Sequence, residues 1–363
     1  MNVSNLNRGG RNYSVDLLKI ISMMMVVLLH LNLFGGLITS ANHSSNFLFK
    51  FTVNFYEEIC IIAVNIFIII SSWFLSANSS YSLKSKRILH MLVSMFFWYL
   101  VMTLVACFLG ISPGFKALVA SAPLIGKSYD FIAGYIVLYF LSPFLNRLTS
   151  QLNQNSHKKL ALILFFVFSL CAPIIANQYM MVYKGYSFAW FICIYLIVAY
   201  VRRYSNWNKL SWKRYLTVFF LLTLVGTLAR CFTPSGWPVY VSKGHYNDPI
   251  IFLSALSCFL LFASFTVKKQ VATKMIHFFV PLSVAVFFIH ANMFIEQWFK
   301  SLEFYSFINE NTLRYIICLP LLALAVFFVS TICEYSRVWL FEKTGISKSM
   351  ERLSLRLDKY LIF

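Results

Sequence analysis

The sequence carries little charge. Only 12% of its 363 residues are Asp, Glu, Lys or Arg, whereas a soluble protein of this length carries about a quarter. Hydrophobic residues make up 60% of the chain. One soluble core cannot bury this much apolar surface, so lipid has to cover part of it. The shortage of charge therefore excludes an ordinary soluble protein and indicates an integral membrane protein.

Several motifs with known chemistry are also missing. No P-loop, G-x-S-x-G, H-E-x-x-H or G-x-G-x-x-G motif stands in a suitable context, so energy from a bound nucleotide is not indicated. The eight cysteines lie singly in or beside apolar runs, without a C-x-x-C or Cys/His metal spacing. We expect them to pack as small apolar residues, and we predict no metal site and no bound cofactor.

The chain contains instead a series of apolar runs of about 20 residues, the length that crosses a bilayer. The predicted fold class is all-α, a polytopic membrane helix bundle with about ten transmembrane helices in residues 1–334. No gap between the runs is long enough for an independent soluble core. The predicted spans are 15–37, 58–77, 89–111, 129–146, 160–177, 187–201, 215–231, 249–267, 275–299 and 312–333.

Lys and Arg lie in short clusters between these runs. With the N-terminus inside, the inner segments hold most of the 31 basic residues, which predicts that both chain ends are cytoplasmic. Topology explains the net charge of +19 better than nucleic-acid binding does, because the clusters alternate with apolar runs. The alternative that the first span is a cleaved signal peptide fits poorly, since many more spans follow it.

The last segment, 335–363, has a pattern of its own. Apolar residues recur there at helical spacing with basic residues between them, which predicts a basic amphipathic helix on the anionic inner leaflet. A frayed tail is the alternative. The apolar positions are Ile346, Met350, Leu353, Leu357 and Tyr360, and the basic positions are Lys348, Arg352, Arg356 and Lys359.

The first span contains ionisable residues, which are costly in a bilayer and are more often functional than decorative. Lys19 and His30 are eleven residues apart, three helical turns plus about 20°, so they share one helix face with Asp16. Asp16 and Lys19 would lie near the cytoplasmic interface, and His30 beyond the midplane. The alternatives are a Lys19 that snorkels to the interface and a His30 that only bonds a neighbouring helix.

The ninth span carries a second histidine, His290, at comparable depth, with Asn292 and Glu296 after it. If the first and ninth spans pack together, the two imidazoles would face one cavity, where a neutral imidazole can act as general base or acid. The sequence does not show whether these spans touch. Asn65, in the second span, is expected to bond between helices, and a place in the cavity is the alternative.

A basic cluster lies in the inner loop LKSKR, with Lys84, Lys86 and Arg87. Such a cluster can bind a phosphorylated ligand. Its contribution to membrane orientation already explains it, so the cluster alone is a weak indication of a binding site.

Several stretches resemble, in order, the motifs of the acyltransferase family three membrane proteins. RNYSVDLLKIISMMMVVLLH has that family's basic residue, ten intervening residues and histidine. VNIFIIISSWFL resembles the second span, although Ser72 and Trp73 replace the usual Gly-Tyr. GYIVLYFLSPFLNRL, KGYSFAWFICIYLIVAYVRRY, YNDPIIFLSALSCFLLF and SVAVFFIHANMF resemble later spans. The resemblance covers nearly the whole chain, from Arg11 to about Trp339.

The resemblance implies an O-acyltransferase that moves an acyl group, most often acetyl, from cytoplasmic acyl-CoA to a hydroxyl of a glycan or lipid-linked sugar. It is strongest to members found among bacterial capsule and exopolysaccharide genes, which implies a bacterial cell membrane. A proton-coupled transporter or flippase for a glycan or small solute is the alternative, and a structural or sensor protein is another.

The resemblance also implies roles for individual residues. His30 stands at the family's catalytic histidine, and His290 would assist it by orienting the acceptor or stabilising the oxyanion. Lys19 stands where the family usually has an arginine linked to the anionic donor. Lysine keeps the charge but lacks the bidentate fork for phosphate. The expected site residues are His30 and His290 for catalysis, Asp16, Lys19, Lys84, Lys86 and Arg87 for the donor, and Asn65, Asn292 and Glu296 for the acceptor or cavity.

Overall fold

The computed structural model describes residues 11–78, 82–111, 114–126, 129–172, 183–233 and 244–362, and within these ranges the chain is helical and has no β-strand. The predicted all-α membrane bundle is thus confirmed. The helices are α1 (Tyr13–Phe34), α2 (Leu37–His43), α3 (Phe47–Ile61), α4 (Ala63–Leu75), α5 (Ser85–Phe108), α6 (Phe115–Ser121), α7 (Asp130–Gln151), α8 (Gln154–Phe165), α9 (Phe188–Tyr204), α10 (Trp212–Phe232), α11 (Pro249–Ala263), α12 (Gln270–His290), α13 (Met293–Ser301), α14 (Phe304–Ile308), α15 (Thr312–Lys343) and α16 (Ile346–Asp358).

Seven segments of the described chain are long and apolar enough to cross a membrane. They are α1, α3 with α4, α5, α7, α10, α12 and α15. The other three predicted spans coincide with shorter helices, namely α8 with its π-helical continuation Phe166–Cys171, α9 and α11. The chain is therefore a multi-pass membrane protein, and the number of ten spans stays a prediction.

Two of the differences from the predicted helix ends concern α12 and α15. The ninth predicted span, 275–299, is interrupted after His290, because the Asn292 side chain accepts a hydrogen bond from the Phe294 N–H (3.1 Å) and caps the new helix α13. The tenth predicted span, 312–333, continues to Lys343 in α15. The charges that indicate its end in the sequence, Glu334 and Arg337, are paired with each other within the helix.

Helix α1 lies among several neighbours and organises the bundle. It packs against α3, α4, α11, α12 and α15. One apolar core is formed mainly by α4, α9 and α11, and a second is formed mainly by α1, α12 and α15. The helix begins at Tyr13 because the Asn12 side chain accepts hydrogen bonds from the N–H groups of Ser14 and Val15, both at 3.0 Å.

A buried ion pair joins α15 to α5. Arg337 donates to both carboxylate oxygens of Glu334, at 2.6 and 2.9 Å, and both side chains are almost inaccessible to solvent. The Trp98 indole N–H donates to the same carboxylate at 2.7 Å, and the Ser94 hydroxyl bonds it at 3.2 Å. The carboxylate is thus fully hydrogen-bonded, which is what allows the pair to be buried.

We expect Glu334→Ala to destabilise the protein strongly, because it leaves Arg337 buried without its counter-charge. The cost of breaking a buried pair is about 3–5 kcal/mol. Glu296→Ala is the matched control, since it removes the exposed partner of Lys300 on α13, and exposed pairs contribute about 0–1 kcal/mol. Thermal unfolding in detergent should show a clear fall in Tm for the first variant alone, and equal Tm values would contradict this account.

The C-terminal segment forms helix α16, which packs against α5 and α15. The N–H and the hydroxyl of Ser85 donate to Asp358 at 2.7 and 2.8 Å, and Lys86 pairs with Glu351 at 2.7 Å. The hydrogen bond from the Ser85 N–H holds the pKa of Asp358 below its ordinary value of 3.8. Contact of this helix with the inner leaflet stays a prediction.

We expect the attachment of α16 to weaken at acid pH. Because the pKa of Asp358 is lowered in the folded protein, its contribution is complete above pH 3.8 and is lost as the pH falls through the lowered value. Amide hydrogen exchange in α16, corrected for the intrinsic rate, should be slow at pH 6 and faster near pH 3. In Asp358→Ala the exchange should already be faster at pH 6; unchanged exchange there would show that Asp358 does not hold the helix.

Candidate active site

The two intramembrane histidines lie in direct contact. The Nδ1 atom of His30 on α1 is 3.1 Å from the Nε2 atom of His290, the last residue of α12. The ring centroids are 5.0 Å apart. Whereas His290 is completely buried, His30 retains some accessible surface. The first and ninth predicted spans therefore do pack together, a contact that the sequence left open.

The hydrogen bonds of this pair determine which ring nitrogen holds a proton. The Nδ1 atom of His290 bonds the carbonyl oxygen of Val286, and a carbonyl only accepts, so this nitrogen carries the hydrogen. In a neutral His290 the Nε2 atom is then an acceptor, and the Nδ1–H of His30 donates to it. The Nε2 atom of His30 consequently keeps a free lone pair, as a general base or nucleophile requires.

His30 lines a cavity of about 90 Å³ inside the bundle. The cavity is mostly apolar, and a few polar side chains reach it, as in many ligand-binding sites. Helices α1, α4, α5, α7 and α12 contribute to its wall, together with Tyr186 and Tyr246 from the segments before α9 and α11. The polar lining residues are His30, Ser71, Arg87, Tyr135, Tyr186 and Tyr246.

A second cavity, of about 420 Å³, adjoins the first on the cytoplasmic side of the predicted topology. Arg87 and Ser71 belong to the walls of both cavities, and Lys19 and the buried Arg337 line the second. Because they share lining residues, the two cavities are adjacent, and together they are called the passage, which extends from a cationic inner region to His30. Lys19 and His30 are about 16 Å apart along α1, at 1.5 Å per residue.

The predicted donor residues lie in two different places. Asp16 bonds Arg11 at 2.7 Å and Lys19 at 2.8 Å, so its carboxylate balances two cations and holds Lys19 beside the inner cavity. Arg87 faces the passage, and no carboxylate pairs with it among the residues described. Lys84 and Lys86 lie with Asp358 and Glu351 of α16 instead, at 3.7 and 2.7 Å, and line neither cavity.

The predicted acceptor residues lie around the cavity without lining it. The Asn65 amide donates to the Tyr246 carbonyl at 2.6 Å and accepts from the Trp190 indole at 3.1 Å, which is the expected interhelical bonding. Asn292 caps α13, and Glu296 pairs with Lys300 at 2.6 Å. Asn65 thus acts on the cavity indirectly, by holding the segment of Tyr246.

Three tyrosines of the cavity wall were not found from the sequence. Tyr135 lies in α7, and Tyr186 and Tyr246 contact each other with ring centroids 5.4 Å apart. Burial raises the pKa of the Tyr186 and Tyr246 phenols, so both stay neutral at physiological pH. The chain has 20 tyrosines, and their usual place in aromatic belts gave no sign that these three face a cavity.

A buried ionic cluster on the outer side of the predicted topology was also missed. Arg230 donates to Glu58 at 2.6 Å, and the Asn32 amide donates to Glu57 at 2.9 Å. Gly226 fits against Glu58 so closely that a Cβ atom there would lie 2.2 Å from the carboxylate. The cluster ties α10 and α1 to α3, and the adjacent Glu57 and Glu58 were its only sign in the sequence.

A family model described as an acyltransferase domain matches residues 12–335. The match covers nearly the whole chain. The chain belongs to acyltransferase family 3. No curated protein and no solved structure matches the chain. Membership in this family makes the protein a membrane acyltransferase, and the predicted family is confirmed. No group of three His, Cys, Asp or Glu side chains in the described ranges is arranged to hold a metal ion.

The outer wall of this acyltransferase's cavity depends on Gly185. The residue has φ +81°, and a Cβ atom there would lie 2.4 Å from the Asn247 nitrogen. The neighbouring Lys184 carbonyl accepts from the Tyr246 N–H at 2.9 Å. The segments that carry Tyr186 and Tyr246 are therefore locked together at a point where only glycine fits.

We expect Gly185→Ala to lower both stability and activity. The left-handed backbone costs a non-glycine residue about 1–2 kcal/mol, and the contact with Asn247 forces the two segments apart. Gly114→Ala is the matched control, because that glycine has φ −61° and a Cβ atom there meets nothing within 4 Å. Tm and acyl transfer should fall for the first variant alone; a wild-type Tm for Gly185→Ala would contradict the locked geometry.

Proposed function

We propose that the protein is an O-acyltransferase that moves an acyl group, with acetyl as the proposed group, from cytoplasmic acyl-CoA to a hydroxyl of a glycan or lipid-linked sugar. His30 is the general base, and the site lies in a bacterial cell membrane. The observation that carries the proposal is the free Nε2 lone pair of His30, a residue that lines a cavity adjoining a cationic inner region.

The reaction needs a general base with one unprotonated nitrogen directed at the acceptor hydroxyl. In the proposed reaction Nε2 of His30 takes the proton from the acceptor hydroxyl while the oxygen attacks the thioester carbonyl. The carbon–sulfur bond breaks, and the CoA thiolate takes up the proton from His30, so the products are an ester and free CoA. During the reaction His290 continues to accept from the Nδ1–H of His30, a bond that strengthens when His30 is protonated.

A covalent route through the same nitrogen is the alternative. The Nε2 lone pair attacks the thioester carbonyl, the carbon–sulfur bond breaks, and the CoA thiolate leaves an acyl group on Nε2. The acceptor hydroxyl then attacks the acyl carbon, the carbon–nitrogen bond breaks, and the hydroxyl proton passes to the CoA thiolate. Both routes need His30 as placed here, and neither needs a metal or a resident cofactor.

The donor would enter the passage at its inner, cytoplasmic end. CoA is a polyanion with a long, uncharged pantetheine arm. Its phosphates suit the region of Lys19 and Arg87, and its arm suits the narrow apolar route to His30. Arg87 is the stronger candidate for binding phosphate. Lys19 already pairs with Asp16 at 2.8 Å, whereas no carboxylate among the residues described pairs with Arg87.

The acceptor would approach His30 from the side opposite the donor. Tyr186 and Tyr246 form the cavity wall there, in segments that the predicted topology places at the outer face. Their phenols can hydrogen-bond sugar hydroxyls, while their ring faces can contact the apolar faces of a sugar ring.

The test of this function is mass spectrometry of the host's surface glycans in four strains: one without the gene, and three complemented with the wild type, His30→Ala or His277→Ala at matched membrane levels. His277 is the control, an exposed histidine on the same helix as His290. An acyl-sized mass should return with the wild type and the control, and should be reduced by about 10²–10⁴-fold in initial rate with His30→Ala. A changed amount of glycan with unchanged acylation would indicate a transporter instead.

We expect His290→Ala to lower kcat while KM for acyl-CoA stays nearly unchanged. Without the acceptor at His290, the His30 ring loses its orientation and its proton no longer stays on Nδ1, a kind of loss that reaches about 10⁴-fold in serine proteases. His290→Gln should retain more activity, since its side-chain oxygen can accept from Nδ1–H. Steady-state kinetics in nanodiscs measure this, and an unchanged kcat in His290→Ala would show that the contact only packs the helices.

A further inference from the structure

We propose that the Tyr135 hydroxyl recognises an amide of the donor's pantetheine arm and thereby selects a pantetheine thioester over a lipid acyl donor. The inference rests on the proposed function, because it concerns the same passage. It adds a specificity-determining residue in the middle of that passage, between the region that suits the phosphates and the histidine that suits the thioester.

The first observation is an unsatisfied hydroxyl. Tyr135 is only 5% exposed and lines the cavity of His30. Its Oη atom is buried and has no hydrogen-bond partner among the residues described. Burying a hydroxyl without a partner is destabilising, so an unpartnered hydroxyl on a residue of the cavity wall indicates a ligand that completes its bonding.

The second observation is the position of Tyr135 along the passage, which follows from the helical rise between residues of α7. Tyr139, four residues further on, bonds the Lys84 backbone at the start of α5, so Tyr135 lies about 6 Å outward of that level. Tyr129, six residues earlier, donates to the Phe288 carbonyl near His290, so Tyr135 lies about 9 Å inward of that level. Tyr135 therefore lies between the donor's charged end and the reacting histidine.

The third observation is that two neighbours contact the ring. The Arg87 guanidinium lies over the Tyr135 ring, with its central carbon 5.7 Å from the ring centroid. The Tyr139 ring is a second neighbour, with its centroid 6.5 Å away. A cation over the ring face attracts the ring and restricts its orientation, so the hydroxyl is preorganised for a partner.

The chemistry of the partner follows from these positions. A hydrocarbon chain in the passage would leave the Tyr135 hydroxyl unbonded, which penalises a lipid acyl donor. The pantetheine arm has two amides between its phosphate end and its thioester, and each amide can donate or accept. An uncharged arm with a hydrogen-bonding group at this depth is therefore the ligand that satisfies both the apolar wall and the hydroxyl.

The experiment compares Tyr135→Phe with the wild type in nanodiscs, because phenylalanine keeps the ring and removes only the hydroxyl. Each protein receives acetyl-CoA, acetyl-pantetheine and an acetyl thioester whose two amides are replaced by methylene groups. Tyr139→Phe is the matched control, since its hydroxyl bonds the Lys84 backbone and does not line the cavity.

The expected result is a KM for acetyl-CoA that rises about three- to tenfold in Tyr135→Phe, with kcat nearly unchanged. The wild type should prefer acetyl-pantetheine to the amide-free analogue, and Tyr135→Phe should lose most of this preference while Tyr139→Phe keeps it. The same KM and the same preference in Tyr135→Phe would overturn the inference, with the hydroxyl then bonded only to water. If the wild type itself transfers from no thioester, the proposed donor is wrong and the inference falls with it.

Discussion

The hydrogen bond between His30 and His290 is the contact on which the rest of the site depends. It joins α1 to the end of α12. The Val286 carbonyl keeps the proton of His290 on Nδ1, and the Nε2 atom of His290 then keeps the proton of His30 on its Nδ1, which leaves the Nε2 atom of His30 free. Because a carbonyl only accepts, a single backbone group determines where both protons lie. The break after His290, where Asn292 caps α13, ends the helix at the residue that makes this contact.

The charges inside the bundle have two kinds of surroundings. Glu334 with Arg337 in α15, and Glu58 with Arg230 between α3 and α10, are buried pairs in which each charge has its counter-charge within the protein. Arg87 and the Tyr135 hydroxyl have no such partners in the described part of the chain, although both line the passage to His30. Since buried polar groups are normally satisfied, the groups left over mark where a ligand belongs.

Residues that share one face of a single helix were the ones that could be predicted. Asp16, Lys19 and His30 share a face because the α-helical period places them there, and the structure keeps Lys19 at the inner cavity and His30 at the next one. The cluster of Lys84, Lys86 and Arg87 was less informative, because adjacent residues on a helix point in different directions. Only Arg87 faces the passage, and the two lysines contact α16.

The sequence by itself determined the membrane fold, the family and the stripe from Lys19 to His30. The fold and the stripe depend on composition, on run length and on helical periodicity, and the family depends on the resemblance of motifs in order along the chain; all of these can be found without tertiary contacts. Tertiary structure alone decided that His290 reaches His30 and that Tyr135, Tyr186 and Tyr246 line their cavity. Such contacts join residues from different helices, and no local pattern specifies which helix faces pack together.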